Sequence, residues 1–143
     1  MPKEGVHDTF NLIKEGCGEI VCARNELSKH VIGIGIYFYS SSLPSTFTKY
    51  ANGKRACFVA EMCVHKSHTG KGVGSQILKN IAMRVADQNL ADIILMDRHE
   101  DNEASGGMMR KAGCTVLDSF DDHMKRPTGS RRTVVLEMNI SNS

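Results

Sequence analysis

The chain has 143 residues, with 18 lysines and arginines against 16 aspartates and glutamates and a formal net charge of +2. That length suits a single domain, 1–143, able to bury a core of its own, and the balanced charge, with no long basic arm, gives no case for nucleic acid as a partner. The opening MPKEGVHDTF lacks the apolar core of a signal peptide, no stretch reaches the roughly 20 apolar residues of a membrane helix, and five cysteines without a Cys-x-x-Cys pair suit reduced thiols, so a soluble, cytoplasmic protein is expected.

The first dozen and a half residues offer at most one short helix, around DTFNLIKEG. From Glu19, EIVCARNELSKHVIGIGIYFYSSS reads as two β-rich runs about a polar segment containing Asn25, an antiparallel hairpin. Gly33 and Gly35 in its second arm weaken a strand but allow a neighbouring backbone or a ligand to come close. Tyr37 and Tyr39 alternate with Phe38; core packing is their default role, and reaching an acceptor pocket is the alternative. SSSLPSTFTKYANGKR, with Pro44 and Asn52-Gly53 as turn signals, is longer than an ordinary connection and reads either as a lid or as a surface excursion. ACFVAEMCVH, from Ala56 to His65, is nearly continuously apolar and is the expected central strand, with Glu61 as its single acidic charge. Cys57 and Cys63 within it read as small buried hydrophobes.

Next come three glycines at alternate positions, Gly70, Gly72 and Gly74, directly ahead of an amphipathic run in which Val73, Ile77, Leu78, Ile81, Ala82 and Val85 recur at helical spacing. A Walker loop would need Gly-Lys followed by Ser or Thr, but Lys71 is followed by Gly72; the dinucleotide fingerprint would need a third glycine where Ile77 stands. What remains is a loop of unpaired N–H groups at the positive end of a helix, an anion site suited to a pyrophosphate. His65 and His68 have metal-like spacing without a third ligand in register, so no metal is expected. ADIILMD is another buried strand; DRHED, Asp97 to Asp101, follows at the carboxyl edge of the sheet and reads either as a solvated loop or as a lining of an acceptor site with His99 as a candidate base. NEASGGMMRKAG is a short helix ending at Gly113, and CTVLDSF and RTVVLEMNI are two further strands. Lys125, Arg126, Arg131 and Arg132, around PTGS, follow Asp118, Asp121 and Asp122 at the tip of the last hairpin, either a balanced, solvated turn or cations that attract an acidic acceptor surface. The order is β-β-β-α-β-α-β-β.

A central strand, a glycine loop, a long helix, a strand, then a short helix opening with Asn-Glu and ending in Lys-x-Gly resembles the GCN5-related N-acetyltransferase (GNAT) family. AEMCVHKSHTGKGVGSQIL is similar to its Gln/Arg-x-x-Gly-x-Gly/Ala signature, with Gly72 and Gly74 on the small positions, and NEASGGMMRKAGC to its Asn-x-x-Ala-x-x-x-Tyr segment, with Asn102 and Gly113 in register. The resemblance runs from about Glu19 to the C-terminus. It implies an α/β (α+β) fold, a mixed, mostly antiparallel sheet with the glycine loop and helix after the central strand, and truncated N-terminal elements.

It also implies acetyl-CoA as co-substrate, held by Met62, Cys63, Val64, Thr69, Gly70, Lys71, Gly72, Val73, Gly74, Ser75 and Asn102, with one strand amide polarising the thioester carbonyl. The implied reaction is acetyl transfer to a primary amine, of a small molecule or of a protein lysine or N-terminus, by direct attack in a ternary complex, with Glu61 as base and His99 as second candidate. Cysteines then need no catalytic role, and a homodimer is a further expectation. Two positions depart from the pattern. Thr69 stands where the signature has Gln or Arg, so that side chain's contribution to pyrophosphate binding is either lost or taken over by Lys71, and Met109 stands where many members carry a tyrosine acid. These departures favour the alternative, a non-catalytic CoA-binding regulatory or interaction module of the same fold.

Overall fold

The computed structural model describes residues 16–121 and 132–140. The helix expected around DTFNLIKEG and the hairpin tip with Asp122, Lys125, Arg126 and Arg131 fall outside the described residues. Strands β1 (Gly18–Arg24) and β2 (Val31–Phe38) form the expected antiparallel hairpin. Asn25 closes its turn, its Oδ1 accepting the backbone N–H groups of Leu27 and Ser28 at 2.9 and 3.0 Å. Two single 3-10 turns and the four-residue α1 (Thr48–Ala51) lead to β3 (Ala56–Val64), then α2 (Val73–Asp87), β4 (Ile93–His99), α3 (Glu103–Lys111), β5 (Thr115–Asp121) and β6 (Arg132–Asn139). The six strands form one sheet in the order β1-β2-β3-β4-β6-β5, antiparallel throughout except for the parallel pair β3–β4.

Each face of the sheet carries its own core. On one face α2 and α3 pack Ile77, Leu78, Ile81, Val85, Met109 and Ala112 against Tyr37, Cys57, Val59, Ile94 and Met96. On the other, Phe47 and Ala51 cover Ile36, Phe58, Leu95 and Val135. The long connection before β3 is therefore docked onto the sheet: the Phe47 and Phe58 rings lie 4.6 Å apart, and Tyr50 donates its hydroxyl hydrogen to Asp118 on β5 at 2.8 Å. Glycines in β2 let α2 settle close. A β-carbon at Gly35 would stand 2.6 Å from Ile77 Cγ2, so the neighbour these strand glycines admit is a helix.

A β-bulge at Ala60 sets which way the end of β3 faces. Tyr37 pairs with Val59 and Ile36 with Glu61, so Ala60 has no partner on β2. Directly opposed residues share a face, and Ile36 belongs to the core away from the helices. Glu61 consequently points to that face, whereas Met62, opposite Gly35, returns to the helix side.

Tyr37 is fully buried, and its hydroxyl donates to Glu19 Oε2 at 2.5 Å; Arg84, near the end of α2, reaches the same oxygen at 3.4 Å. Burial first, and the Glu19 carboxylate next, push the Tyr37 phenol above its ordinary range, so it stays a donor. The Tyr37 hydrogen bond, with help from Tyr39 and Arg84, holds Glu19 below the usual carboxylate range. A carboxylate with a depressed folded pKa stabilises the fold above its unfolded value, about 4.3, and that contribution is lost as the pH falls through the folded value. Urea midpoints of the wild type and Glu19→Gln are therefore expected to differ most at pH 6–7 and to converge as the pH drops below about 4.

Candidate functional site

The parallel pairing of β3 with β4 runs only from Ala56–Ile93 to Val59–Met96. Beyond it β4 continues along β6 as far as His99 opposite Thr133, and β3 continues along β2 as far as Val64 opposite Gly33. Each strand follows its other neighbour, and a gap opens between them at the carboxyl end of the sheet.

Two cavities meet at this gap. The larger, about 810 Å³, lies between the end of β3, the glycine loop, the start of α2 and the exposed side of α3. Met62, Val64, Thr69, Gly70, Gly72, Val73, Gly74 and Ser75 line it, joined from α3 by Ser105, Met108, Arg110 and Lys111. Its lining includes His68, Arg110 and Lys111 and no carboxylate. The smaller cavity, about 150 Å³, is the gap itself, lined by Val59, Ala60, Glu61, Met62, Met96, Asp97, Arg98, Asn102, Ser105 and Met109. Met62 and Ser105 border both.

The glycine loop is built by local backbone geometry. Gly70 and Gly72 have φ of +79° and +81°, in the left-handed region that side chains resist. Gly72 is the N-cap of α2 and offers no side-chain cap. The first intrahelical bond runs from Gln76 N–H to Gly72 O at 3.0 Å, so the N–H groups of Val73, Gly74 and Ser75 have no partner inside the helix. They give the cavity wall a positive partial charge of about half a unit. Gly74 has a different task. A β-carbon there would overlap the Met108 side chain, so this glycine brings α2 against α3, where Ser75 Oγ donates to Met108 O at 3.0 Å.

The other predicted site residues fall in distinct places. Cys63 is exposed on the face away from the helices, and Lys71 is exposed; neither lines either cavity. Thr69 Oγ1 donates to Lys66 O at 2.9 Å. Asn102 caps α3, its Oδ1 accepting from Ser105 N–H at 3.0 Å, while also bordering the small cavity. His99 lies outside both linings, its Nδ1 accepting the Asp101 N–H at 3.1 Å. Glu61 borders the gap, and across it stands Asp97, paired with Val135 and so on the same face away from the helices. Arg98 faces the helix side, its Nη1 donating to the carbonyls of His99 and Glu100 at 3.0 and 3.1 Å and its guanidinium lying against Gly106. Met109 is 4 % exposed and brings a thioether to the gap.

Among the described residues, no group of three or more histidine, cysteine or acidic side chains could hold a metal ion. His65 Nδ1 lies 2.7 Å from Ser67 Oγ, which lies 3.0 Å from His68 Nδ1, so the histidine pair is engaged through one serine. No described helix is long and apolar enough to cross a membrane.

Sequence reading missed Lys111 and Arg110 as cavity residues and the placing of Asp97 on the same face of the sheet as Glu61. The first depends on the contact between α2 and α3 and the second on strand register, neither of which a local motif encodes.

Known structures repeat this architecture. The chain superposes on the ribosomal-protein-S5-alanine acetyltransferase of Vibrio fischeri with a TM-score of 0.70 at 15 % identity, covering 98 % of this chain and 71 % of that one. A GNAT family acetyltransferase of Elizabethkingia anophelis with acetyl-CoA bound gives 0.71 at 14 % identity, over 96 % and 83 %, and a Bacillus subtilis acetyltransferase in complex with CoA gives 0.66 at 16 %, over 97 % and 93 %. No curated protein sequence matches the chain. At such identities the likeness is one of fold, but the family model for GNAT acetyltransferases matches residues 3–114, most of the sequence. On that match, and with the strand gap and glycine loop described above, the chain belongs to the acetyltransferase (GNAT) family.

Proposed function

We propose that this protein is an N-acetyltransferase that moves the acetyl group of acetyl-CoA to a primary amine by direct attack, without a covalent enzyme intermediate. The observation that carries the reading is the pair of cavities joined at Met62: a large one with cationic side chains, helix-start amides and no carboxylate, and a small one with two carboxylates on the opposite face of the sheet. The large cavity fits the donor, its bare amides and cations suiting phosphates and its apolar strand end suiting the pantetheine arm. An ammonium group is attracted to the face bearing Glu61 and Asp97.

The chemistry follows from that division. Glu61 accepts a proton from the amine, directly or through a water; the amine nitrogen bonds to the thioester carbonyl carbon, the C–S bond breaks, and the thiolate leaves. A backbone N–H at the end of β3 polarises the carbonyl oxygen. Met109 cannot protonate the thiolate, but a thiol ionises near pH 8.5, only about one unit above neutrality, so this lack is the lesser one. An amine like that of lysine must lose a proton held with a pKa of about 10.4, which makes the base more important than the acid. Holding amine and thioester side by side supplies much of the remaining acceleration.

The buried thioether of Met109 is also what favours a second reading, a CoA-binding module without turnover. Thiol release from acetyl-CoA across a panel of amines and lysine or N-terminal peptides, run beside calorimetric titration of CoA, separates the two. CoA binding with turnover on at least one amine class is expected. CoA binding with no turnover across the panel would replace the transferase with the module, and absence of CoA binding would remove both.

A further inference from the structure

We propose that Lys111, in the last turn of α3, selects the donor by its phosphates, so that the protein discriminates against the same acyl group carried on pantetheine alone. Lys111 has this role only if the donor reading above holds.

The loop that turns around Gly70 and Gly72 has no cationic side chain of its own inside the cavity. Thr69 is uncharged and its hydroxyl is committed to Lys66 O. Lys71 is nearest in sequence, but it lies between two left-handed residues and outside the lining, whereas Lys111, equally exposed, lies within it. From the far side of the cavity Lys111 supplies what the loop lacks. Its Nζ stands 3.9 Å from the position a β-carbon would take at Gly72, over the residue that opens α2. Arg110 and His68 line the same cavity, no acidic side chain does, and among the described residues neither Lys111 nor Arg110 is in an ion pair with a carboxylate. A lysine at the end of a helix is stabilised by the helix dipole wherever on the last turn it sits. That effect accounts for a cation at this turn and not for its standing over the helix start, where amide dipoles of the same sign repel it. Two positive elements that face each other across a cleft without an intervening carboxylate are stabilised together by an anion between them. Gly74 makes the arrangement possible, because its missing β-carbon lets α3 come near enough for Lys111 to reach Gly72.

The test is calorimetric titration of wild type, Lys111→Met and Lys111→Arg with CoA, 3′-dephospho-CoA and pantetheine, with thermal midpoints measured on each protein. Wild type is expected to bind CoA much more tightly than pantetheine. Lys111→Met is expected to weaken CoA by about tenfold, roughly one charge-assisted contact, to leave pantetheine unchanged and to reduce the salt dependence of CoA binding. Lys111→Arg is expected to restore most of the CoA affinity. A loss confined to CoA assigns the contact to the 3′-phosphate, and an equal loss with 3′-dephospho-CoA assigns it to the diphosphate; either supports the proposal. An unchanged CoA affinity in Lys111→Met, or equal losses for CoA and pantetheine, would overturn the role of Lys111 while leaving the donor site intact. Failure of the wild type to bind CoA would overturn the donor reading and the role of Lys111 with it.

Discussion

Glu61→Gln is expected to lower kcat for acetyl transfer by about a hundredfold or more while CoA affinity changes by less than about twofold. At pH 7.4 a lysine-like amine is protonated with a bias of about three pH units, or roughly 4 kcal/mol, and a protonated amine has no lone pair for the thioester. A carboxylate at the gap favours the ammonium ion in the encounter and accepts the proton as the C–N bond forms. Asp97 shares the face and adds to the attraction, but its strand is across the gap, so its removal should act mainly on KM for the amine. Glutamine keeps the size and one hydrogen-bonding oxygen of Glu61 while losing the basic site, which makes the split between kcat and CoA affinity informative. The measurement is steady-state thiol release with saturating acetyl-CoA, beside a CoA titration. Wild-type turnover in Glu61→Gln would remove Glu61 from the chemistry, and an equal loss of CoA affinity would make its role structural.

Gly35→Val is expected to destabilise the fold by about 3 kcal/mol, the upper part of the usual range for overpacking, and to lower Tm by roughly 6–12 °C for a chain of this size. A β-carbon at Gly35 would stand 2.6 Å from Ile77 Cγ2, 2.9 Å from Met62 Sδ and 3.1 Å from Ile81 Cδ1. Ile77 is 2 % exposed and Ile81 fully buried, and an isoleucine on a helix has little rotamer freedom, so relief requires α2 to lift from β2. Met62 can move, but it borders both cavities, and its displacement narrows the place where they join. CoA affinity, titrated well below the melting transition, should therefore fall as well. A melting curve indistinguishable from wild type would show that α2 does not depend on this approach.

The strand and helix order was legible from sequence because each element carries its own local signal: apolar runs for β3 and β4, helical spacing for α2, and Gly113 past the end of α3. The glycine loop was legible for the same reason, since left-handed backbone at the start of a helix demands glycine at Gly70 and Gly72. Gly74 looked alike in sequence, yet its role is packing against Met108, which depends on a helix more than thirty residues away. Tyr37 followed its default and entered the core, and the long segment before β3 joined the second core through Phe47 instead of standing free as a lid. Lys71, singled out for its neighbours in the chain, lies outside the cavity lining and Lys111, which no local motif marks, lies within it, because proximity along the backbone says nothing about which side chains converge in space. The face taken by Glu61 was equally hidden: nothing in Val59-Ala60-Glu61-Met62 announces that one residue is unpaired.

That unpaired residue acts as a parity switch. Along a regular strand every second side chain shares a face, so an acid and the thioether after it keep their sides only as long as the count before them is right. Deleting Ala60 would straighten the strand and leave Glu61 and Met62 where they are, whereas drawing Ala60 into an unbroken ladder with β2 would set it opposite Ile36 and Glu61 opposite Gly35 and so exchange Glu61 and Met62 between the two sides of the sheet. The carboxylate would then stand on the side of the helix-start amides and Lys111, and the thioether on the side of Asp97. The irregularity is what turns the carboxylate of Glu61 toward the face of Asp97 and the thioether of Met62 toward the cavity of the helix-start amides.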